Sequence, residues 1–246
     1  MKRHIPNLLT LCNLFCGLLG LVYITEGNVA AAGVCIAVAM VLDIADGLTA
    51  RALNAYSPLG KELDSLADIV SFGVAPGWVV ARMIAQTQTG HFFPLNPGAE
   101  GLPLFLAGFL IPVFSALRLA RFNLDTRQQE GFIGVPTPAN TGFLFALWFS
   151  VSWQPESLTA KLLENPWAWV LVSLLTSLLL VAEIPLISLK IKTLSWGPNR
   201  FRYLLLLTGV LLFAVWGWAV APLIFALYLS FSWVDRKFAS TFRKNP

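Results

Sequence analysis

Charge is scarce in this sequence. Only 12% of its 246 residues are Asp, Glu, Lys or Arg, against about a quarter in a soluble domain. With 57% hydrophobic residues and a mean hydropathy of +0.70, that shortage excludes an ordinary water-soluble globule. Cysteine is scarce as well. Cys12, Cys16 and Cys35 all fall in apolar runs and form no CxxC pair, so small buried side chains are the expectation. Internal repeats, low-complexity tracts and soluble domains are lacking. The first apolar run carries polar Asn7, Thr10 and Asn13 and no small-residue cleavage site, so no cleavable signal peptide is expected.

What the sequence has instead is one apolar run after another, near the ~20 residues that cross a bilayer. Eight spans are expected, at about 6–25, 29–53, 60–85, 102–122, 138–153, 166–189, 202–217 and 219–235. The fold class is therefore an all-α polytopic transmembrane bundle, a single integral membrane domain over 1–246. With a cytoplasmic N-terminus, fifteen of the seventeen basic residues fall inside, from Lys2 and Arg3 through Arg51, Lys61, Arg118, Arg121, Arg127, Lys190, Lys192, Arg200 and Arg202 to Arg236, Lys237, Arg243 and Lys244. Arg82 and Lys161 alone stay outside, as the positive-inside rule demands. Both termini then face the cytoplasm, in the inner membrane. The net charge of +4 is a matter of topology and does not indicate a nucleic-acid partner. Trp148, Trp153, Trp167, Trp169, Trp216, Trp218 and Trp233 sit near expected span ends, as an interfacial belt would.

One stretch breaks the apolar pattern. DIADGLTARALNAYSPLGKELDSLAD, residues 43–68, places Asp43, Asp46, Asp64 and Asp68 in two otherwise apolar segments. Asp43 and Asp46 are three apart, Asp64 and Asp68 four apart, so each pair shares a helix face. Pro58 and Gly60 make LNAYSPLG a turn, and helices joined so briefly run antiparallel, gathering the four carboxylates. Four negative charges at membrane depth need cations. Hard oxygen donors suit Mg²⁺ or Mn²⁺, with Ca²⁺ also accommodated, rather than zinc. Two ions per site is the natural reading, and such a pair suits in-line displacement at phosphorus. Gly47 and Ala50 leave room on the acidic face, and Arg51 can hold a phosphate in bidentate fashion. Simple pairing of the acids with bases fails by count, because only Arg51 and Lys61 are near in sequence. A cation transporter would also place acids at this depth, but it has no use for the Gly47, Ala50, Arg51 and Gly60 spacing.

Asp43-x2-Asp46-Gly47-x2-Ala50-Arg51-x8-Gly60-x3-Asp64-x3-Asp68 resembles in full the signature of the CDP-alcohol phosphotransferases. The resemblance implies a membrane enzyme that moves a phosphatidyl or similar group from a CDP-linked donor to an alcohol and releases CMP. It implies that Asp43, Asp46 and Asp64 hold one metal, that Asp43, Asp64 and Asp68 hold the second, and that Asp68 is also the general base. Gly47, Ala50, Arg51 and Gly60 would line the cytidine diphosphate site, with Asn7 and Thr10 at its nucleotide end. The family core has six spans, here about 1–190, so two additional helices would follow at about 200–235.

Further along, SALRLARFN (115–123) and GVPTPA (134–139) are similar to segments of the bacterial and archaeal branch of that family that uses serine. The expected donor is CDP-diacylglycerol and the expected acceptor L-serine, with glycerol 3-phosphate or an inositol compound as alternatives. Arg118 and Arg121 lie at an inner membrane boundary, where arginines usually anchor topology or meet lipid phosphates. As acceptor-binding groups they would be joined by Asn123 and Thr137. Glu183 is an isolated acid in the sixth expected span, placed to pair with Lys190 or to snorkel. Membrane lipids are the other expected partners, and a homodimer is left open.

Overall fold

The computed structural model describes residues 4–90, 102–124, 132–186 and 196–244. In chain order these form α1 (Ile5–Glu26), α2 (Val29–Ala52), α3 (Pro58–Ile69), a π-helical turn (Val70–Val74), α4 (Ala75–Thr89), α5 (Leu102–Phe105), a 3-10 turn (Leu106–Phe109) and α6 (Leu110–Leu124). There follow β1 (Phe132–Ile133), α7 (Thr137–Trp153), α8 (Leu158–Leu162), α9 (Pro166–Val181), β2 (Pro185–Leu186), α10 (Trp196–Trp216), a second 3-10 turn (Gly217–Val220) and α11 (Ala221–Lys244). The protein is a helical membrane bundle. Its only pairing of extended chain among the described residues is the two-residue antiparallel contact of β1 with β2, Phe132 opposite Leu186 and Ile133 opposite Pro185.

Local chemistry sets the helix ends. Pro6 occupies the first turn of α1, where its missing N–H costs nothing. Ser57 caps α3 by accepting from the Gly60 N–H at 3.0 Å, with Pro58 at the first helical position. Pro58 and Gly60 therefore begin a helix instead of lying in the turn expected for them. Gly60 also leaves space for its neighbours: a Cβ there would stand 3.0 Å from Asn7 Oδ1 and 3.1 Å from Ser57 Oγ, tighter than ordinary contact.

Five stretches are long and apolar enough to cross a membrane: Ile5–Glu26, Val29–Ala52, Pro58–Gln88, Leu106–Leu124 and Arg202–Ser232, with Pro166–Val181 as a shorter apolar helix. The last of the five is broken by Gly217, whose φ of 59° no helix tolerates. α10 and α11 fold back on each other there, and Leu205 of one meets Tyr228 of the other. Two expected boundaries move. α9 stops at Val181, because the chain turns extended to pair with β1, and α11 continues well past 235 to Lys244. Glu183 consequently lies beyond its helix and is exposed, not embedded in a span. Its expected partner Lys190 lies outside the described residues, as do Lys2, Arg3, Arg127, Lys192 and the outer connector beyond Gly90.

The main core is formed where α1, α4, α7 and α9 meet, around Ile24, Val79, Ile84, Leu144 and Phe145. Trp148 and Trp169 are 2% and 0% exposed, so they belong to this core and not to an interfacial belt. Trp169 Nε1 donates to the Leu163 carbonyl at 3.0 Å, which satisfies its buried polar edge. Trp153, Trp167 and Trp216 are exposed as expected. The cysteines also depart from expectation: Cys12 is exposed and Cys16 and Cys35 are half-buried, since in a bilayer a small apolar side chain gains little by avoiding the lipid. The two basic residues expected outside both have work. Arg82 Nη1 donates to the Ile24 and Thr25 carbonyls at 2.8 and 2.9 Å, capping the C-terminal end of α1. Lys161 pairs with Glu156 at 3.1 Å.

Candidate active site

α1 packs along both α2 and α3, and α2 and α3 bring their carboxylates to one place. Ligand oxygens of Asp43, Asp64 and Asp68 all lie within 4.8 Å of one another. The carboxylates of Asp64 and Asp43 lie next to each other. Asp46 lies outside that set, although close enough to Asp64 and Asp68 to repel them. Its Oδ2 accepts from Thr10 Oγ1 at 2.6 Å. That hydroxyl also faces the Pro6 carbonyl at 3.1 Å, so ordinary back-bonding competes with a shorter bond to a carboxylate, the stronger acceptor. Asp46 and Asp68 are buried, at 6% and 8% exposure.

The site fits divalent metal. Asp64 Oδ1 and Asp68 Oδ1 are buried with no protein hydrogen-bond partner, and every donor in the cluster is a hard oxygen. An aspartate cluster able to hold metal, with Asp68 buried and Asp43 and Asp64 half-buried, is thus present on geometry and donor chemistry alike.

Beside the carboxylates opens a cavity of about 520 Å³. Asn7 and Thr10 of α1, Asp46, Gly47 and Ala50 of α2, and Gly60 and Asp64 of α3 all line it. A Cβ on Gly47 would meet nothing within 4 Å, so the space in front of it is open. Arg51 is not among the lining residues and its side chain is exposed. The α2–α3 connector and the start of α3 contribute Ala55, Tyr56, Ser57 and Lys61. The sequence shows these only as part of a turn, and their nearness to Gly60 on either side was the available signal.

α6 brings the cation that faces Asp68. Arg118 is 7% exposed, interacts electrostatically with Asp68, and its Nη1 donates to Thr137 Oγ1 at 3.3 Å. Arg51 and Lys61, the bases nearest in sequence, do not play that part, and Lys61 Nζ donates to the Asn123 carbonyl at 2.8 Å. Asn123 Nδ2 donates to Ser65 Oγ at 2.8 Å, which ties the end of α6 to α3. Arg121, three residues from Arg118, is exposed and is not drawn into the cluster.

The CDP-alcohol phosphatidyltransferase family model matches residues 3–179, most of the chain and every element of this site. The chain belongs to that family. Among curated relatives, the CDP-diacylglycerol–serine O-phosphatidyltransferase of Bacillus subtilis (strain 168) is 36% identical over 136 residues, 55% of this chain and 70% of the relative. The protein of the same name from Mycobacterium leprae (strain TN) is 35% identical over 208 residues, 79% of this chain and 61% of the relative. The archaetidylserine synthase of Methanothermobacter thermautotrophicus (strain Delta H) is 32% identical over 136 residues, 54% of this chain and 53% of the relative. The chain thus spans roughly half to 70% of the lengths of these relatives. The family match ends at 179, so α10 and α11 lie beyond it.

Proposed function

We propose that the chain transfers the phosphatidyl group of CDP-diacylglycerol to L-serine, giving phosphatidylserine and CMP. The observation that carries this reading is the convergence of three carboxylates within 4.8 Å beside a cavity of about 520 Å³. In this reading the cavity holds the cytidine diphosphate, with Asn7 and Thr10 at the nucleotide and open space over Gly47 for the phosphates. Asp43, Asp46, Asp64 and Asp68 hold two divalent ions, Mg²⁺ or Mn²⁺, which when bound offset charge on the phosphoryl oxygens. Asp68 takes the proton of the serine hydroxyl. The hydroxyl oxygen forms a bond to the β-phosphorus, the phosphoanhydride bond to the cytidine side breaks, and CMP leaves with that electron pair. Arg118, held by Thr137, balances the buried charge of Asp68 and offers an N–H face to the acceptor.

The site opens to the cytoplasm, with both termini on that side of the inner membrane. Residues 1–190 form the catalytic core, and α10 and α11 pack against it as additional helices. The test is an assay of purified protein with CDP-diacylglycerol and labelled serine, glycerol 3-phosphate and inositol. Serine should be used in preference, and only with Mg²⁺ or Mn²⁺ present. Preference for glycerol 3-phosphate or inositol would overturn the acceptor assignment and leave the family chemistry. Full turnover in excess chelator would overturn the metal assignment.

A further inference from the structure

Below the carboxylates lies a second polar layer. Asn13 is three residues beyond Thr10 on α1, and Ser71 three beyond Asp68. Asn140 is three beyond Thr137 on α7, and Ser115 three before Arg118 on α6. Each is therefore about one helical turn from a residue at the level of the site. All four are 0% exposed. The π-helical turn joins them: Ser71 Oγ donates to the Asn13 carbonyl at 3.2 Å, and the Phe72 carbonyl accepts from Thr141 Oγ1 at 3.0 Å. A Cβ on Gly73 would stand 3.2 Å from Ser115 Cβ. Residues 71–73 thus touch α1, α6 and α7 at one level.

That layer is not satisfied by the protein. Both polar atoms of Asn13, both of Asn140, Ser115 Oγ, Arg118 Nε and Asp68 Oδ1 are buried without a hydrogen-bond partner. Buried orphans of this kind are few in native proteins and each needs an explanation. Five of these atoms, on α1, α6 and α7, belong to the layer beside the π turn, a distortion frequent at functional sites, and the other two, Arg118 Nε and Asp68 Oδ1, belong to the level just above it. An apolar side chain in their place would be cheaper unless something polar enters.

We infer that this layer is the acceptor pocket, built for a small zwitterionic amino alcohol. The inference rests on the transfer reaction proposed above and names the residues that select its acceptor. Arg118 Nε meets the carboxylate, the amide oxygens of Asn13 and Asn140 take the ammonium, and the hydroxyl points up to Asp68. One cation and two neutral amides match a ligand of zero net charge. A phosphate-bearing acceptor would bring a dianion into a layer whose one cationic side chain among the described residues is Arg118, itself facing Asp68, so the pocket favours the zwitterion.

The test uses Asn140→Leu and Asn13→Leu in the full-length protein. Serine KM should rise roughly 10–100-fold, as for the loss of a hydrogen bond to a charged group, while KM for CDP-diacylglycerol stays near wild type. A second readout needs no variant to fold. With CDP filling the donor cavity, millimolar serine should raise the wild-type Tm and glycerol 3-phosphate should not. A wild type that transfers serine while both variants keep the wild-type serine KM overturns the pocket alone. The pocket is equally overturned if serine leaves the wild-type Tm unchanged, or if the Leu variants merely gain stability, as removal of idle polar groups would give. A wild type that makes no phosphatidylserine overturns the reaction itself, and the pocket with it.

Discussion

Two stretches of this chain have the same length, 31 residues, and opposite fates. Pro58–Gln88, running through α3, the π turn and α4, has 72% of its most apolar window buried inside the protein; Arg202–Ser232, running through α10 and α11, has 11%. The buried stretch is the less apolar of the two. In water the order would be reversed. In a bilayer the lipid receives apolar side chains as readily as a protein core does, so what needs enclosure is polarity. The first stretch carries Asp64, Asp68 and Ser71 and is wrapped by α1, α6, α7 and α9. The second carries leucine, valine and phenylalanine outward. Their cavities follow suit. The cavity of about 520 Å³ beside the carboxylates has aspartates and an asparagine in its wall, whereas the groove of about 480 Å³ between α7, α10 and α11 is lined by residues such as Phe143, Leu205, Val210 and Phe225.

If enclosure serves chemistry, substitutions in the buried stretch should act on turnover and those in the hairpin should not. The largest effect is expected at Asp64. Asp64→Asn removes one of the three converging carboxylates and should bring CMP release with serine to background. Asp68→Asn should follow with a loss of about 10²–10⁴ in kcat, read at saturating CDP-diacylglycerol and serine, and near-wild-type kcat would remove Asp68 from the proton transfer. Thr10→Val is milder. It deletes the 2.6 Å bond to Asp46 and should raise KM for CDP-diacylglycerol by roughly 10-fold, with serine KM little changed. At the bottom of the order, Leu211→Ala and Val215→Ala, exposed at 58% and 72% on the hairpin, should leave kcat and both KM values within about twofold. A tenfold loss of kcat there would break the contrast, because it would make the lipid-facing hairpin part of the chemistry.

The aspartate signature and the helical character are readable in the sequence because both are periodic. Spacings of three and four put Asp43 on a face with Asp46 and Asp64 on a face with Asp68, and a short connector leaves α2 and α3 no course but to run back past each other. Periodicity says which residues share a face but not what that face meets. Asp46 turns to Thr10, 36 residues away, and the cation beside Asp68 comes from α6 rather than from Arg51 or Lys61. Arg118 and Arg121 read alike in sequence, and only packing distinguishes the buried one from the exposed one. Trp148 and Trp169 look interfacial in sequence because they lie near span ends. The core that buries them is shared by several helices. Glu183 reads as a span residue because apolar residues flank it, and the pairing of β2 with β1, which ends the helix at Val181, leaves no periodic trace. Asn13 and Asn140 are the sharpest case: amides in apolar helices 127 positions apart, whose common layer shows only once the π turn is seen to touch both helices.

The central claim is that the third membrane segment is enclosed in order to hold carboxylates around divalent cations. Mn²⁺ binding by the purified protein, followed by electron paramagnetic resonance as the free-ion signal disappears, tests it most directly. The account predicts that the wild type removes Mn²⁺ from solution at micromolar levels, that Asp64→Asn and Asp43→Asn largely lose this capacity, and that Leu211→Ala keeps it in full. Equal Mn²⁺ uptake by the wild type and both aspartate variants would contradict it.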